Sequence, residues 1–139
     1  MAKILVIDDE KDIRVVLRQV LELEGFEVHV AADAKEGLAL LDTEGADLVI
    51  TDIIMPGMDG VKTLERIKAD NPKLPVVVIS GGGSVAPMAY EPGAIATSAY
   101  LASASQAGAD RTLTKPFDTQ ELLSAVRDLL GEIATRDAS

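Results

Sequence analysis

Asp47-Leu48-Val49-Ile50-Thr51-Asp52-Ile53-Ile54-Met55-Pro56-Gly57-Met58-Asp59-Gly60 is the stretch on which the fold turns. Its first half is a short run of β-branched and aliphatic residues, the pattern of a buried strand. Its second half holds Pro56, Gly57 and Gly60, which end the strand and turn the chain. Asp52 stands at the junction, where a side chain leaving a buried strand first meets solvent. A carboxylate there can ligate a metal, attack as a nucleophile or cap a turn. The charged residues at the other strand ends decide among these.

Outward from this stretch the same pattern recurs. Lys3–Ile7 is a compact apolar run closed by Asp8-Asp9-Glu10, hence a buried first strand with acids at its C-terminal end. Ile13, Val16, Leu17, Val20 and Leu21 fall at helical spacing before Gly25, which predicts an amphipathic helix over residues 11–24. Val28 and Val30 alternate with Glu27 and His29 in a half-exposed second strand. Asp33 is placed to cap a helix that carries Ala34, Leu38 and Leu41 inward and ends near Gly45. After Gly60, a helix presents Val61, Leu64 and Ile67 on one face. Pro72 and Pro75 bracket the turn into the apolar strand Val76–Ser80.

Beyond Ser80 the pattern loosens. Residues 81–107 contain eight Ala, four Gly, four Ser and both tyrosines, with Glu91 as the single charged residue. Residues 81–93 read as a long loop and residues 94–107 as a weakly patterned fourth helix. Asp110 to Thr114 is a short fifth strand, Lys115-Pro116 a turn. Asp118-Thr119-Gln120-Glu121 resembles a capping box that opens a helix with Leu122, Val126, Leu129, Leu130 and Ile133 inward.

Five strands alternating with five helices predict an α/β fold, a doubly wound five-stranded parallel sheet with helices on both faces. The flavodoxin-like order 2-1-3-4-5 makes strands one and three neighbours at the switch point, beyond whose C-terminal ends ligands bind. Asp8, Asp9 and Asp52 fall at that point.

The 139 residues are read as a single domain, residues 1–139, with an extended Gly/Ala/Pro-rich segment at about 81–96. A chain of this length buries about two-thirds of its unfolded surface. A net charge of −10 argues against direct nucleic-acid binding, which needs clustered Lys and Arg. With no Cys, disulfides, thiolate zinc sites and Cys nucleophiles are excluded. The apolar run at the N-terminus is too short for a signal peptide or membrane span, so no membrane insertion and a cytoplasmic location are expected.

Three carboxylates converging on one crevice repel each other unless a cation holds them. Hard oxygen donors with room for water suit Mg²⁺ or Mn²⁺. Ser80 ends strand four with a hydroxyl donor, and Gly81 keeps the adjacent space clear. Lys115 ends strand five with a cation. Metal, Lys and hydroxyl around an Asp make a phosphoryl-transfer site with Asp52 as nucleophile, forming an aspartyl phosphate. Singly, each residue has a plainer reading as a turn cap or a solvated charge. Their coincidence at the ends of four strands carries the inference. His29, the single histidine, lies on a polar strand face and reads as solvated.

These motifs resemble the receiver domain of bacterial two-component response regulators. The resemblance rests on Ile4-Leu5-Val6-Ile7-Asp8-Asp9, on Thr51-Asp52 through Gly60, on Ile79-Ser80-Gly81 and on Leu113-Thr114-Lys115-Pro116-Phe117. It implies that Asp52 accepts a phosphoryl group from a phosphohistidine of a sensor histidine kinase or a histidine phosphotransfer protein. It implies Mg²⁺ held by Asp9, by Asp8 in part through water, by Asp52 and by the backbone carbonyl of Ile54. Ser80 and Lys115 would bond the phosphoryl oxygens, and Lys115-Pro116 would be a cis peptide. A downstream protein would meet the face made by the fourth helix, fifth strand and fifth helix. The protein would catalyse only its own phosphorylation and dephosphorylation, and a stand-alone receiver is the expectation.

The chain departs from that family at three places. Thr112 occupies the position, three before Lys115, where such receivers often carry an aromatic. The segment between Ser80 and Lys115 is longer than usual, which predicts a remodelled fourth helix. Ile54 and Gly82, two residues after Asp52 and Ser80, cannot orient a hydrolytic water. Two other classes stand beside this reading. A phosphatase of the haloacid dehalogenase kind also uses an Asp nucleophile, but it has a second Asp where this chain has Ile54. A flavodoxin-like FMN binder needs a hydroxyl-rich phosphate loop after strand one, where this chain has acids.

Overall fold

The computed structural model describes residues 2–52, 54–55, 58–80, 108–114 and 117–138. The strands β1 Lys3–Ile7, β2 Glu27–Ala31, β3 Leu48–Asp52, β4 Val76–Ser80 and β5 Arg111–Thr114 form one sheet in the order β2-β1-β3-β4-β5. Every neighbouring pair is parallel. This is the expected flavodoxin-like order. Among the described residues the helices are α1 Lys11–Leu23, α2 Ala34–Glu44, α3 Gly60–Asp70 and α4 Thr119–Ala138. The helix expected over residues 94–107 and the extended segment at about 81–96 lie outside the described residues, as does the Lys115-Pro116 peptide. The C-terminal helix, fifth in the expectation, is therefore α4 here.

Parallel strands cannot be joined by tight hairpins, and the described crossovers carry α1, α2 and α3, each laid on one face of the sheet. Successive strand residues point to opposite faces, and two apolar layers result. Ile4, Val6, Leu48, Ile50, Val77 and Ile79 pack with Leu17 and Leu21 of α1 and with Leu122, Val126 and Leu129 of α4. Leu5, Ile7, Val49, Val76 and Val78 pack with Leu64 and Ile67 of α3 and with Leu38 and Leu41 of α2. Both faces of β1, β3 and β4 are thus covered, which is why these strands read as continuous apolar runs rather than alternating ones.

Local signals place the helices. Asp33 caps α2 by accepting the Glu36 N–H at 2.8 Å, and Gly45 closes that helix at φ +71°. Asp118 accepts the Gln120 N–H at 2.8 Å before the first full turn of α4, and the Leu122 N–H donates to the Asp118 carbonyl. Gly37 is buried against β1: a Cβ there would lie 2.7 Å from Ile7 Cγ1. Val16, expected inward, is 48% exposed, because it stands at the edge of the α1 stripe and the sheet reaches only Leu17, Leu21 and their partly buried neighbours Ile13 and Val20. After β3, Ile54 pairs with Asp59 and Met55 with Met58 in a two-residue antiparallel ladder.

Candidate metal centre

Register delivers the site. Ile7 pairs with Thr51 across β1 and β3, so the next residues, Asp8 and Asp52, emerge side by side at the C-terminal edge of the sheet. Asp52 pairs with Ile79, and Ser80 with Thr114, which brings the ends of β4 and β5 to the same edge. Asp8 and Asp52 are almost wholly buried, 1% and 4% exposed, while Asp9 is exposed. Carboxylate oxygens of Asp8, Asp9, Glu10 and Asp52 all lie within 4.8 Å of one another.

The turn that carries three of these acids is held by its own backbone. The Asp8 N–H donates to the Ala31 carbonyl at the end of β2, 3.1 Å away. Asp8 Oδ1 accepts the Glu10 N–H at 2.8 Å, and Arg14 Nη1 donates to the Asp8 carbonyl at 2.8 Å. Glu10 is the N-cap of α1, yet its side chain makes no capping hydrogen bond and its carboxylate instead joins the acidic group. Sequence alone points to the carboxylates of Asp8, Asp9 and Asp52, with the Ile54 carbonyl beside them. Glu10 is the residue it missed, although its place directly after the acidic pair was visible. At Asp52, the Thr51 hydroxyl donates to the main-chain carbonyl at 3.1 Å.

Ser80 is fully buried, and its Oγ has no hydrogen-bond partner among the described residues. A buried hydroxyl without a partner is costly. A donor held in that state is one that an added acceptor can satisfy. The Ile54 backbone lies in the short ladder, two residues after Asp52. Lys115 lies outside the described residues; β5 runs to Thr114, the residue before it.

The donor set fits a hard divalent cation. Every member is a carboxylate oxygen, the inner two are buried, and the exposed Asp9 leaves an approach for water. Like charges this close, partly out of water, oppose one another until a cation sits among them.

The family model for the response regulator receiver domain matches residues 4–127, and the chain belongs to that family. It is similar to the C4-dicarboxylate transport transcriptional regulatory protein DctD of Rhizobium meliloti, with 39% identity over 89% of this chain and 24% of DctD. It is also similar to the transcriptional regulatory protein CpxR of Klebsiella pneumoniae, with 33% identity over 94% of this chain and 50% of CpxR. The chain therefore spans from a quarter to half the length of these relatives. Among solved structures, a response regulator receiver domain protein from Clostridium thermocellum superposes with a TM-score of 0.78 at 33% identity, covering 97% of this chain and 98% of the other. A CheY-like receiver domain protein from Methanospirillum hungatei gives a TM-score of 0.80 at 30% identity, covering 98% of each. The chain is a receiver domain of the two-component signalling type. Among the described residues no helix is long and apolar enough to cross a membrane.

Proposed function

We propose that this receiver is a phosphoacceptor in which Asp52 takes a phosphoryl group from a phosphohistidine of a sensor histidine kinase or phosphotransfer protein. The observation that carries the reading is the buried Asp52 carboxylate, within 4.8 Å of the Asp8, Asp9 and Glu10 carboxylates at the strand ends. An Asp52 oxygen attacks phosphorus, the phosphorus–nitrogen bond to the donor imidazole breaks, and the imidazole leaves with its electron pair. Asp8, Asp9, Asp52 and the Ile54 carbonyl would hold Mg²⁺ or Mn²⁺, with Glu10 beside them. When bound, the ion neutralises charge on the acids and on the transferring phosphoryl oxygens.

The chain's own residues do the rest. The sheet fixes the backbone of Asp52, which pairs with Ile79 of β4. Ser80 Oγ donates to a phosphoryl oxygen, which gives its buried hydroxyl a partner. Lys115 pairs with another by the family resemblance. The protein turns over no external substrate in this reading, and acts only on its own phosphorylated state. The output is a protein contact on the face of β5, α4 and the helix expected before β5. Direct nucleic-acid binding is no part of it, given the net charge of −10. The same reading keeps the exchange in the cytoplasm.

Incubation with acetyl phosphate and Mg²⁺, followed by intact mass, tests the proposal. Wild type gains one phosphoryl group only with the metal, and Asp52→Asn gains none. Labelling of Asp52→Asn to the wild-type extent overturns the assignment.

A further inference from the structure

The acidic turn between β1 and α1 has to hold mutually repelling carboxylates close together before any cation arrives. Two of its contacts come from one residue outside it. Arg14, half-buried on the first turn of α1, donates from Nη1 to the Asp8 carbonyl at 2.8 Å. Its backbone N–H donates to the Glu10 carbonyl at 3.1 Å. Side chain and main chain of a single residue thus grip the first and last members of the Asp8-Asp9-Glu10 turn. The backbone contact belongs to any helix start; the guanidinium contact does not. It fixes the Asp8 peptide plane, and with it the direction in which the buried Asp8 carboxylate leaves the chain.

We propose that Arg14 is a positioning residue that presets the Asp8-Asp9-Glu10 turn for its divalent cation. The inference rests on the phosphoacceptor reading. Arg14 does not touch the ion or the reacting atoms; it acts through the Asp8 peptide. Two effects of removing it oppose each other. Losing the brace loosens the turn and weakens cation binding, as losing outer partners of metal ligands generally does. Losing a positive charge nearby strengthens cation binding. The charge effect is screened by salt and the brace is not, because the Debye length falls to about 4 Å near 0.5 M. At high salt the brace therefore decides the outcome.

The experiment is titration calorimetry with Mg²⁺ on wild type, Arg14→Met and Arg14→Lys at high salt. Acetyl phosphate labelling is followed beside it across the same Mg²⁺ range. Arg14→Met keeps the aliphatic stem and removes the donor. Its Mg²⁺ half-saturation rises roughly tenfold, while its labelling rate at saturating Mg²⁺ stays within about twofold of wild type. Arg14→Lys, which retains a cationic donor, recovers most of the affinity. If Arg14→Met does not fold, Arg14→Gln, too short to reach the carbonyl, takes its place. Unchanged or tighter Mg²⁺ binding in the donorless variant overturns the inference. So does a labelling defect that excess Mg²⁺ does not repair, or an Arg14→Lys variant as weak as Arg14→Met. Failure of the phosphoacceptor reading looks different: wild type itself then shows no saturable Mg²⁺ binding and no label on Asp52.

Discussion

Lys68 Nζ lies 2.9 Å from Asp110 Oδ2, and that same oxygen accepts the Val76 N–H at 2.9 Å. Lys68 also donates to the Leu74 carbonyl at 2.7 Å, and the Asp110 N–H donates to the Val76 carbonyl. One carboxylate therefore ties the end of α3 to the starts of β4 and β5, at the sheet edge opposite the acidic centre.

Asp110→Ala leaves the Val76 N–H and the half-buried Lys68 ammonium without that acceptor. A loss of about 1–3 kcal/mol is expected, the range for stranding partly buried polar groups. Urea unfolding measures it. Asp110→Asn, which keeps an acceptor oxygen, loses less; equal losses in the two variants would show that the hydrogen bonds do not matter.

The same substitution at two glycines should have opposite signs. Gly37→Ala drives a methyl toward Ile7, and an overpacked contact costs about 1–3 kcal/mol, more than the ~1 kcal/mol helix preference of Ala returns. At the exposed Gly131 a Cβ meets nothing within 4 Å, so Gly131→Ala keeps the helix preference and stabilises by about 0.5–1 kcal/mol. Thermal melts of both variants check the pair, and matching shifts would refute the packing account.

Without metal, the four clustered carboxylates repel one another. Asp52→Asn removes one of those charges, so the metal-free variant should be more stable than wild type by on the order of 1 kcal/mol and melt higher. Added Mg²⁺ should raise the wild-type melting temperature and raise that of Asp52→Asn less, since only the folded state gathers the ligands. A metal-free Asp52→Asn that melts below wild type would contradict the charge argument.

Ile54 stands two residues after Asp52 and Gly82 two after Ser80, and neither side chain can hydrogen-bond a water. The phosphorylated form should therefore lose its phosphoryl group slowly. Ile54→Asn, which supplies an amide to orient water, should speed the loss several-fold. Decay of the phosphorylated mass with time measures this, and a fast wild-type decay that Ile54→Asn leaves unchanged would refute it.

Glu27, opposite Lys3 on the β1–β2 ladder, has its carboxyl held below its ordinary value, first by the hydrogen bond with His29 and then by the charge of Lys3. His29 Nε2 lies 3.0 Å from Glu27 Oε2. A depressed carboxyl stabilises the fold above its unfolded value, and that contribution is lost as pH falls through the folded value. In His29→Ala the Glu27 titration, followed by carboxyl carbon chemical shift, should move up toward the ordinary range. An unmoved midpoint would mean that the contact does not persist in solution.

Much of this was legible along the chain because of what a parallel sheet demands. Strands covered on both faces must be apolar at every position, so Ile4 to Ile7, Leu48 to Ile50 and Val76 to Ile79 declare themselves without any alternation. Polar residues that end such runs have only the C-terminal edge to occupy, which is how Asp8, Asp52 and Ser80 could be named before their positions were known. The caps at Asp33 and Gly45 are local chemistry, and local chemistry is written in local sequence.

Other features depend on which surfaces the fold brings together. Glu10 reads as an ordinary helix start, and only the folded turn sends its carboxylate to Asp52 rather than back to its own helix. Val16 fits the apolar stripe of α1 yet stays half exposed, because the breadth of a buried face is set by the sheet beneath it. Asp110 and Lys68 are 42 residues apart and meet only through the order of β4 and β5. The sequence by itself determined the strands and their acidic ends, since these follow from burial and charge along the chain. Tertiary structure alone decided which carboxylates share one centre and what braces them, since those are distances between segments that no single segment encodes.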